Sequence, residues 1–288
     1  MFYTLTEEPV STTIEYHIIY SHEDAGTPAP LLLSKWGRLT DIEWTYRVVL
    51  DAEGVVQEAV YQGPHHVTSR FRGLYGLGGL PMLQAATDNG MVTDIPDSSY
   101  RFLLAPVMRW EPHREPRERI MDAFPFTYPM MAWEALRHER PEVPANPATT
   151  ALADPRCYLY VQTSKMTGRP EQNQGTSIDI RVKLKDDDRW YSSSFGDLRL
   201  DGFRAAYDGP YPQFSTTVKL YDGIALNRIE RIEAVLLPVG AGAITVKGLK
   251  AFFLGPDYLP ERPLIVEGEW KLSRRRPSAP LWQALQPV

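Results

Sequence analysis

The residues best able to do chemistry in this chain lie within its first 70 positions. Asp41 and Glu43 are spaced by two in a segment that alternates apolar and polar residues. Carboxylates spaced by two on a strand stand roughly 6–7 Å apart on one face. That separation suits a general acid and a general base, or two ligands of one cation. We therefore expect Asp41 and Glu43 to act as an acid–base or ligand pair.

A polar loop and several histidines accompany this pair. His22, Glu23 and Asp24 follow an alternating segment over residues 12–20, and we expect them to converge on the same cleft as catalytic partners. Arg38 is expected to orient the substrate by a two-pronged contact with a carboxylate. The other predicted substrate-binding residues are Trp44, Tyr46, His17, His65 and His66.

An alternative interpretation of the same residues needs no active site. A strand with one apolar face commonly shows its polar face to water. Glu43 and Arg47 would then be exposed neighbours that contribute less than about 1 kcal/mol. A metal site is a narrower hypothesis, because adjacent His65 and His66 cannot both face one point on an extended chain. No cofactor is expected, the metal content is unknown, and a divalent cation is kept as an alternative.

Signatures of several other functions are missing from the sequence. No Gly-x-Ser-x-Gly, His-Glu-x-x-His or Gly-Lys-Ser/Thr motif is present, which argues against the usual α/β-hydrolase, zinc-protease and phosphate-loop classes. The single cysteine, Cys157, excludes an intrachain disulfide and a cysteine zinc cluster. A net charge of −5 argues against nucleic-acid binding. No apolar run approaches the roughly 18 residues of a membrane span.

The elements that must position the candidate residues are mostly strands. Residues 12–20 and 41–50 alternate with period two, and 55–61 returns after a tight turn, which predicts a β-hairpin in this region. Residues 100–109 also predict a strand, with Pro106 placing it at an edge or a bulge. The first residues lack the basic start and apolar stretch of a signal peptide, which favours a cytoplasmic location.

The second half of the chain predicts a series of short strands at 158–163, 177–185, 214–220, 229–237, 244–254 and 264–272. Such a series without a helix is typical of an antiparallel β-sandwich, and we expect a jelly-roll-like arrangement. Before it, residues 129–140 predict a helix, because proline suits the first turn and basic residues suit the last.

Composition divides the chain into two predicted domains. Residues 1–144 carry a net charge of −8 and residues 145–288 carry +3, which indicates two units with different surfaces. We expect an acidic β-rich domain at 1–145 that contains the helix, a Pro-rich linker at 146–156, and a β-sandwich domain with a C-terminal tail at 157–288.

Together these features predict a mostly β protein whose N-terminal domain is an enzyme for a carbohydrate or a similar polyhydroxylated small molecule. A hydrolase or lyase of glycosides would use the carboxylates and histidines as acids and bases. The 32 aromatic residues favour a sugar ligand, because rings stack on the C–H faces of sugars. Two alternatives are a non-catalytic sugar-binding or assembly module and a β-barrel that binds an apolar ligand. The expected partner is a small molecule or glycan, with no nucleic acid or membrane, and a homo-oligomer is left open.

Overall fold

A computed structural model describes residues 1–23, 26–167, 178–197, 213–237 and 243–285. Its strands, in chain order, are β1 Phe2–Glu8, β2 Ser11–Ile19, β3 Ile42–Asp51, β4 Val56–Gly63, β5 Val67–Arg70, β6 Gln84–Ala85, β7 Val92–Thr93, β8 Tyr158–Thr167, β9 Ile178–Leu184, β10 Trp190–Ser192, β11 Gln213–Lys219, β12 Ile229–Leu236, β13 Ile244–Phe252, β14 Leu264–Leu272 and β15 Ser278–Gln283. The α-helices within these ranges are α1 Ala29–Trp36, α2 Arg119–Ala123 and α3 Thr127–His138. The predicted mostly β class is confirmed.

The chain forms two compact units. The first comprises Met1–Gly26 and Thr40–Glu111, and the second comprises Thr27–Leu39 and Pro112–Val288. These limits differ from the predicted domains, because all three helices and the predicted linker at 146–156 belong to the second unit. A division into independently folding domains at that linker stays a prediction.

A buried lysine ties part of the predicted linker region to the second unit. The Nζ of Lys219, at the end of β11, donates to Ala151 O at 2.7 Å and to Thr149 Oγ1 at 3.1 Å. It also forms an ion pair with Glu142. The side chain of Lys219 is fully buried, so these oxygens replace its hydration.

The first unit is built on one antiparallel sheet in the order β1-β2-β3-β4-β5. The predicted hairpin is confirmed as β3 and β4, and the alternating segment before it is β2. One face of this sheet carries a small apolar core with Tyr46, Val48, Ala59 and Phe71 at its centre. Alternating apolar residues on neighbouring strands supply that face, as expected for a half-buried sheet.

A β-bulge breaks the predicted alternation of faces along β3. Tyr46 pairs with Tyr16 while Trp44 pairs with His17, which leaves Thr45 as the extra residue. Thr45 and Tyr46 are therefore both buried, although they are neighbours. The bulge also brings the Arg47 guanidinium to 4.7 Å from the centre of the Trp44 ring. In a regular strand residues 44 and 47 would face opposite ways, and the bulge allows this contact because it shifts the side-chain period by one residue.

The predicted strand at 100–109 is also wrong. The chain there lies outside any strand, and only Arg109 forms an isolated parallel bridge, with Tyr3 of β1. Val107 N donates to Met1 O at 3.0 Å, so the segment reaches the outer edge of β1 only at its C-terminal end. Pro106, which has no N–H group, directly precedes that point of contact.

The second unit contains an antiparallel β-sandwich. Its two four-stranded sheets have the orders β10-β9-β12-β15 and β11-β8-β13-β14. Both sheets contribute to one core, with Ile180, Ile232, Val246 and Leu272 among its fully buried members. The predicted sandwich is confirmed, including all six predicted strands, whereas β10 and β15 were not predicted. The jelly-roll resemblance is not confirmed.

The helices of the second unit pack close to its strands. Gly37 ends α1 in the left-handed conformation, and a side chain there would come within 2.9 Å of the backbone of Thr216 in β11. The predicted helix at 129–140 is confirmed as α3, which begins two residues earlier, at Thr127. No helix in the described part of the chain is long and apolar enough to cross a membrane.

Candidate functional site

The side-chain amide of Gln62, at the end of β4, lies between a carboxylate and an imidazole of the first unit. Its Nε2 donates to Glu43 Oε2 at 2.7 Å and lies 2.9 Å from His66 Nδ1. Gln62 is only 1% exposed, whereas Glu43 is half-buried and His66 is exposed. One buried amide therefore holds two of the predicted site residues where both can reach solvent. We call Glu43, Gln62 and His66 the Gln62 cluster.

The contact with Gln62 indicates which ring nitrogen carries the proton when His66 is neutral. Because Gln62 Nε2 is a donor, Nδ1 of His66 accepts, and the imidazole proton is then on Nε2. The orientation of the amide follows from the hydrogen-bond network, since the opposite orientation would set its oxygen against the Glu43 carboxylate. The cluster thus offers a donor on His66 Nε2 and an acceptor on the second carboxylate oxygen of Glu43. A hydroxyl group or a water molecule needs both kinds of partner.

The turn that carries His66 is strained. His65 and His66 have φ values of 60° and 58°, in the left-handed region, between Gly63 and Val67, which pair at the β4–β5 hairpin. A non-glycine residue in this region costs about 1–2 kcal/mol. Strain of this kind is concentrated at functional sites, where surrounding contacts hold it in place.

A second loop supports the cluster from residues 87–91. Met91 Sδ lies 3.2 Å from Gln62 Nε2, and the carbonyl of Gly90 accepts a hydrogen bond from the Tyr20 hydroxyl at 2.9 Å. Gly90 has φ +74°, and a side chain at this position would collide with the Tyr20 ring. Glycine is required there both by the backbone and by the close approach of the ring.

Two carboxylates contribute to the raised pKa of the Tyr20 phenol. Burial raises the pKa of Tyr20 to about 12, and the negative charges of Asp41 and Glu43 add to that effect. Asp41 lies next to Tyr20, since Tyr20 N donates to Asp41 O at 2.8 Å. Asp41 is 2% exposed, so the two predicted carboxylates have different surroundings. Tyr20 stays a neutral hydrogen-bond donor throughout the physiological pH range.

Another predicted residue, His17, belongs to a buried network on the same sheet. Its Nε2 lies 3.1 Å from Glu15 Oε1, and Glu15 also accepts from Arg47 Nε at 2.7 Å. Burial by itself would raise the pKa of Glu15, but the hydrogen bonds and charges of His17 and Arg47 outweigh burial and lower it. The His17 ring stacks on Phe2 at 5.0 Å and is fully buried. His17 therefore has no surface to offer a ligand from solvent.

The remaining predicted residues of the first unit are scattered. Tyr46 packs edge-on against Phe71 at 5.5 Å in the apolar core. His22 is partly exposed, with its Nδ1 3.2 Å from Ser21 Oγ, and Glu23 is also partly exposed. His65 is exposed, Trp44 lies under Arg47, and Asp24 lies outside the described residues. Convergence of the 22–24 loop on the carboxylates stays a prediction.

Arg38, the predicted substrate-orienting residue, belongs to the second unit. Its Nε donates to Glu118 Oε1 at 2.8 Å, and Glu118 Oε2 accepts from Ser215 Oγ at 2.8 Å. Arg38 is buried, and its guanidinium lies 5.3 Å from the Trp36 ring. The carboxylate of Glu118 therefore already binds the Nε of Arg38, whose guanidinium was expected to contact a carboxylate of the substrate.

A groove of about 380 Å³ opens in the second unit and was missed by sequence reasoning. Its lining residues are Asp122, Pro125, Lys250, Phe252, Leu259, Pro260, Glu261 and Pro263. Lys250 Nζ lies 2.7 Å from Asp122 Oδ2, and the Tyr128 hydroxyl donates to Asp122 Oδ1 at 3.0 Å. Two carboxylates and one ammonium give this lining an excess negative charge, which disfavours an anionic ligand.

Sequence reasoning also missed Gln62. Its amide carries no charge and fits no motif, and its partner Glu43 lies 19 residues earlier in the chain. The only sequence signal is a polar residue near the end of a strand that also contains Gln57 and Glu58, and such residues are common. Strand pairing between β3 and β4 is what brings the amide to the carboxylate.

Comparisons with known proteins return no relative. No family model matches the chain, and neither a curated protein nor a solved structure matches it. The function is therefore inferred from the chemistry of the cluster.

Proposed function

We propose that the first unit is an acid–base enzyme that hydrolyses a glycoside or a similar polyhydroxylated small molecule, with Glu43 and His66 as its catalytic residues. The observation that carries the proposal is the shared amide of Gln62, which holds a carboxylate at the start of β3 and an imidazole in the β4–β5 turn. A carboxylate acceptor beside an imidazole donor is a combination used in general acid–base catalysis.

In the proposed reaction Glu43 is the base, and neutral His66 donates a hydrogen bond to the leaving oxygen. Glu43 Oε1 takes a proton from a water molecule as the water oxygen bonds to the anomeric carbon. The bond from that carbon to the glycosidic oxygen breaks with its electron pair on the oxygen, which accepts a hydrogen bond from His66 Nε2 and takes its proton from solvent. Glu43 then returns its proton to solvent, which restores the site.

Gln62 has a positioning role in this scheme. It occupies Glu43 Oε2 and His66 Nδ1, so each catalytic group is left with one atom for the substrate. The neutral amide neither gains nor loses a proton at ordinary pH, so it orients both groups without competing for the transferred proton. Tyr20 remains neutral near Glu43 and adds no further charge.

The test is release of nitrophenol from a panel of p-nitrophenyl glycosides by the full chain. We expect at least one member to be hydrolysed, and Glu43→Gln and His66→Asn each to lower kcat about 100-fold or more. Their Tm values should fall by only a few degrees, because each variant keeps one of the two contacts of Gln62. Glu58→Gln, on the exposed part of β4, and His113→Asn are matched controls that should keep full activity. The proposal is overturned if the wild-type chain hydrolyses no member of the panel, or if both site variants keep full activity.

A further inference from the structure

Asn89 and Gly90 lie in the turn of the hairpin that joins β6 to β7. Gly90 N donates to Thr87 O at 3.2 Å, which closes the turn over residues 87–90. Among the four asparagines of the chain, only Asn89 is followed by a glycine. Because glycine has no Cβ, its backbone nitrogen is the least hindered nucleophile that can follow an asparagine. The turn therefore places an accessible backbone nitrogen next to a side-chain amide.

The hydroxyl of Thr87 contacts that amide. Thr87 Oγ1 donates to Asn89 Oδ1 at 2.6 Å and accepts from Met91 N at 3.1 Å. The second bond holds the hydroxyl in place, so that its proton points at the amide oxygen. A donor in this position stabilises the negative charge that gathers on a carbonyl oxygen when its carbon is attacked. Thr87 is therefore placed to assist attack on the Asn89 amide.

The surroundings of the turn permit the reaction. Asn89 is partly exposed, so water can reach its side chain and a released amine can leave. The attack requires the bond from Gly90 N to Thr87 O to open. At 3.2 Å that bond is at the long end of the range for protein hydrogen bonds, so it restrains the nitrogen weakly.

We propose that Asn89 is a self-modification site, at which the chain converts the asparagine to aspartate and isoaspartate. Gly90 N gives its proton to solvent and bonds to Asn89 Cγ. The bond from Cγ to Nδ2 then breaks, and the nitrogen takes up protons and leaves as ammonia. Water opens the resulting five-membered imide at either of its two carbonyl carbons. Cleavage at Cγ gives aspartate, and cleavage at the backbone carbonyl gives isoaspartate, with water as the only co-reactant.

Isoaspartate changes the loop that supports the Gln62 cluster. It adds one methylene to the backbone before Gly90, whereas aspartate keeps the backbone length. The carbonyl of Gly90 accepts from the Tyr20 hydroxyl, and Met91 Sδ lies 3.2 Å from Gln62 Nε2. A longer backbone displaces both contacts from their present positions. An effect on turnover rests on the proposed function, but the modification itself does not.

The first experiment follows the full chain by peptide mass mapping during incubation in mildly alkaline buffer. We expect conversion of Asn89 to be at least about tenfold faster than that of Asn227, where the side chain of the next residue, Arg228, hinders the attack. Asn146 should convert little, because Pro147 has no N–H to lose. Conversion of Asn89 that is no faster than that of Asn227 overturns the proposal.

Variants of Thr87 test its assistance. Thr87→Val should slow the conversion of Asn89 at least about threefold, as expected for the loss of one neutral hydrogen bond. Thr87→Ser keeps the hydroxyl and should restore the rate. In urea the three chains should convert at the same rate, because the contact exists only in the folded state. An equal or faster rate for folded Thr87→Val overturns the role of the hydroxyl, since a loosened turn alone would speed the reaction.

A second experiment tests the effect on the loop. Ion exchange isolates the isoaspartate form of the aged chain, and Asn89→Asp supplies the same charge without the added methylene. We expect the isoaspartate form to have a Tm a few degrees below that of Asn89→Asp. Equal Tm values overturn the displacement of the loop. Neither experiment measures turnover, so a chain that hydrolyses no glycoside would overturn the proposed function alone.

Discussion

Gln62 Nε2 and Glu43 Oε2 are joined by a 2.7 Å hydrogen bond between β4 and β3. Because Gln62 is almost fully buried and Glu43 is not, the amide fixes one carboxylate oxygen and leaves the other to solvent. The relationship makes Gln62 a positioning residue whose loss should change both stability and turnover.

The first prediction concerns Gln62→Met, which keeps the length of the side chain and removes its donors. Hydrogen bonds to charged groups contribute about 1.5–3 kcal/mol, and we expect a loss of this size in the free energy of unfolding. The measurement is urea denaturation. Gln57→Met, at an exposed residue that bonds to Asp51, should cost under about 0.5 kcal/mol. An equal loss in the free energy of unfolding for Gln62→Met and Gln57→Met would contradict the positioning role of Gln62.

The second prediction concerns the loop behind the cluster. Gly90→Ala must adopt φ +74° and push the Tyr20 ring aside, whereas Gly54→Ala has φ +80° and open space around it. We expect Gly54→Ala to cost about 1–2 kcal/mol from the backbone alone. Gly90→Ala should cost at least about 1 kcal/mol more, because overpacking adds to the strain. Thermal unfolding of both variants checks the difference, and equal Tm values would contradict the close approach of Tyr20.

The third prediction is a pH dependence that comes from Glu15. The pKa of this carboxyl is lowered in the folded state, so ionised Glu15 stabilises the fold above its ordinary pKa of 4.5. That contribution is lost as the pH falls through the lower folded value. The stability difference between the wild type and Glu15→Gln should therefore be largest near pH 7 and shrink on acidification. A stability difference that stays constant from pH 7 to pH 3 would contradict the stabilisation of ionised Glu15 by His17 and Arg47. Glu58→Gln, at an exposed carboxylate, is the control and should show little change with pH.

The fourth prediction tests how the region of the predicted linker is held. Lys219→Met removes a buried ammonium that bonds to Thr149, Ala151 and Glu142. Breaking a buried ion pair by removing one partner costs about 3–5 kcal/mol, and we expect the lower end because Glu142 is partly exposed. Limited proteolysis should also cut residues 142–153 faster. Lys271→Met, at an exposed position, should change neither measurement.

The fold was more predictable than the site for physical reasons. The sandwich strands are short segments rich in apolar and β-branched residues, and β9 alternates apolar and polar residues with period two. A core between two sheets favours such segments, so the strand positions could be predicted within a few residues. The strand predicted at 100–109 failed because strand preference depends on a neighbouring strand, and residues 101–106 make no backbone hydrogen bond to another strand among the described residues.

Details of the site depend on a β-bulge and on strand pairing, which the sequence pattern does not predict. The bulge at Thr45 moves Arg47 over Trp44, yet threonine is an ordinary strand residue. Gln62 acquires its role only when β4 pairs with β3 and the turn at His65 and His66 folds back. The sequence therefore predicted Glu43 and His66 as candidates but not the amide that connects them.

The most direct test of the central proposal is a double-mutant cycle on turnover. Nitrophenol release is measured for the wild type, Glu43→Gln, His66→Asn and the chain that carries both substitutions. Groups that act in one step are strongly non-additive, so the double variant should be within about threefold of the slower single variant. Losses that multiply in the double variant would contradict a single site held together by Gln62.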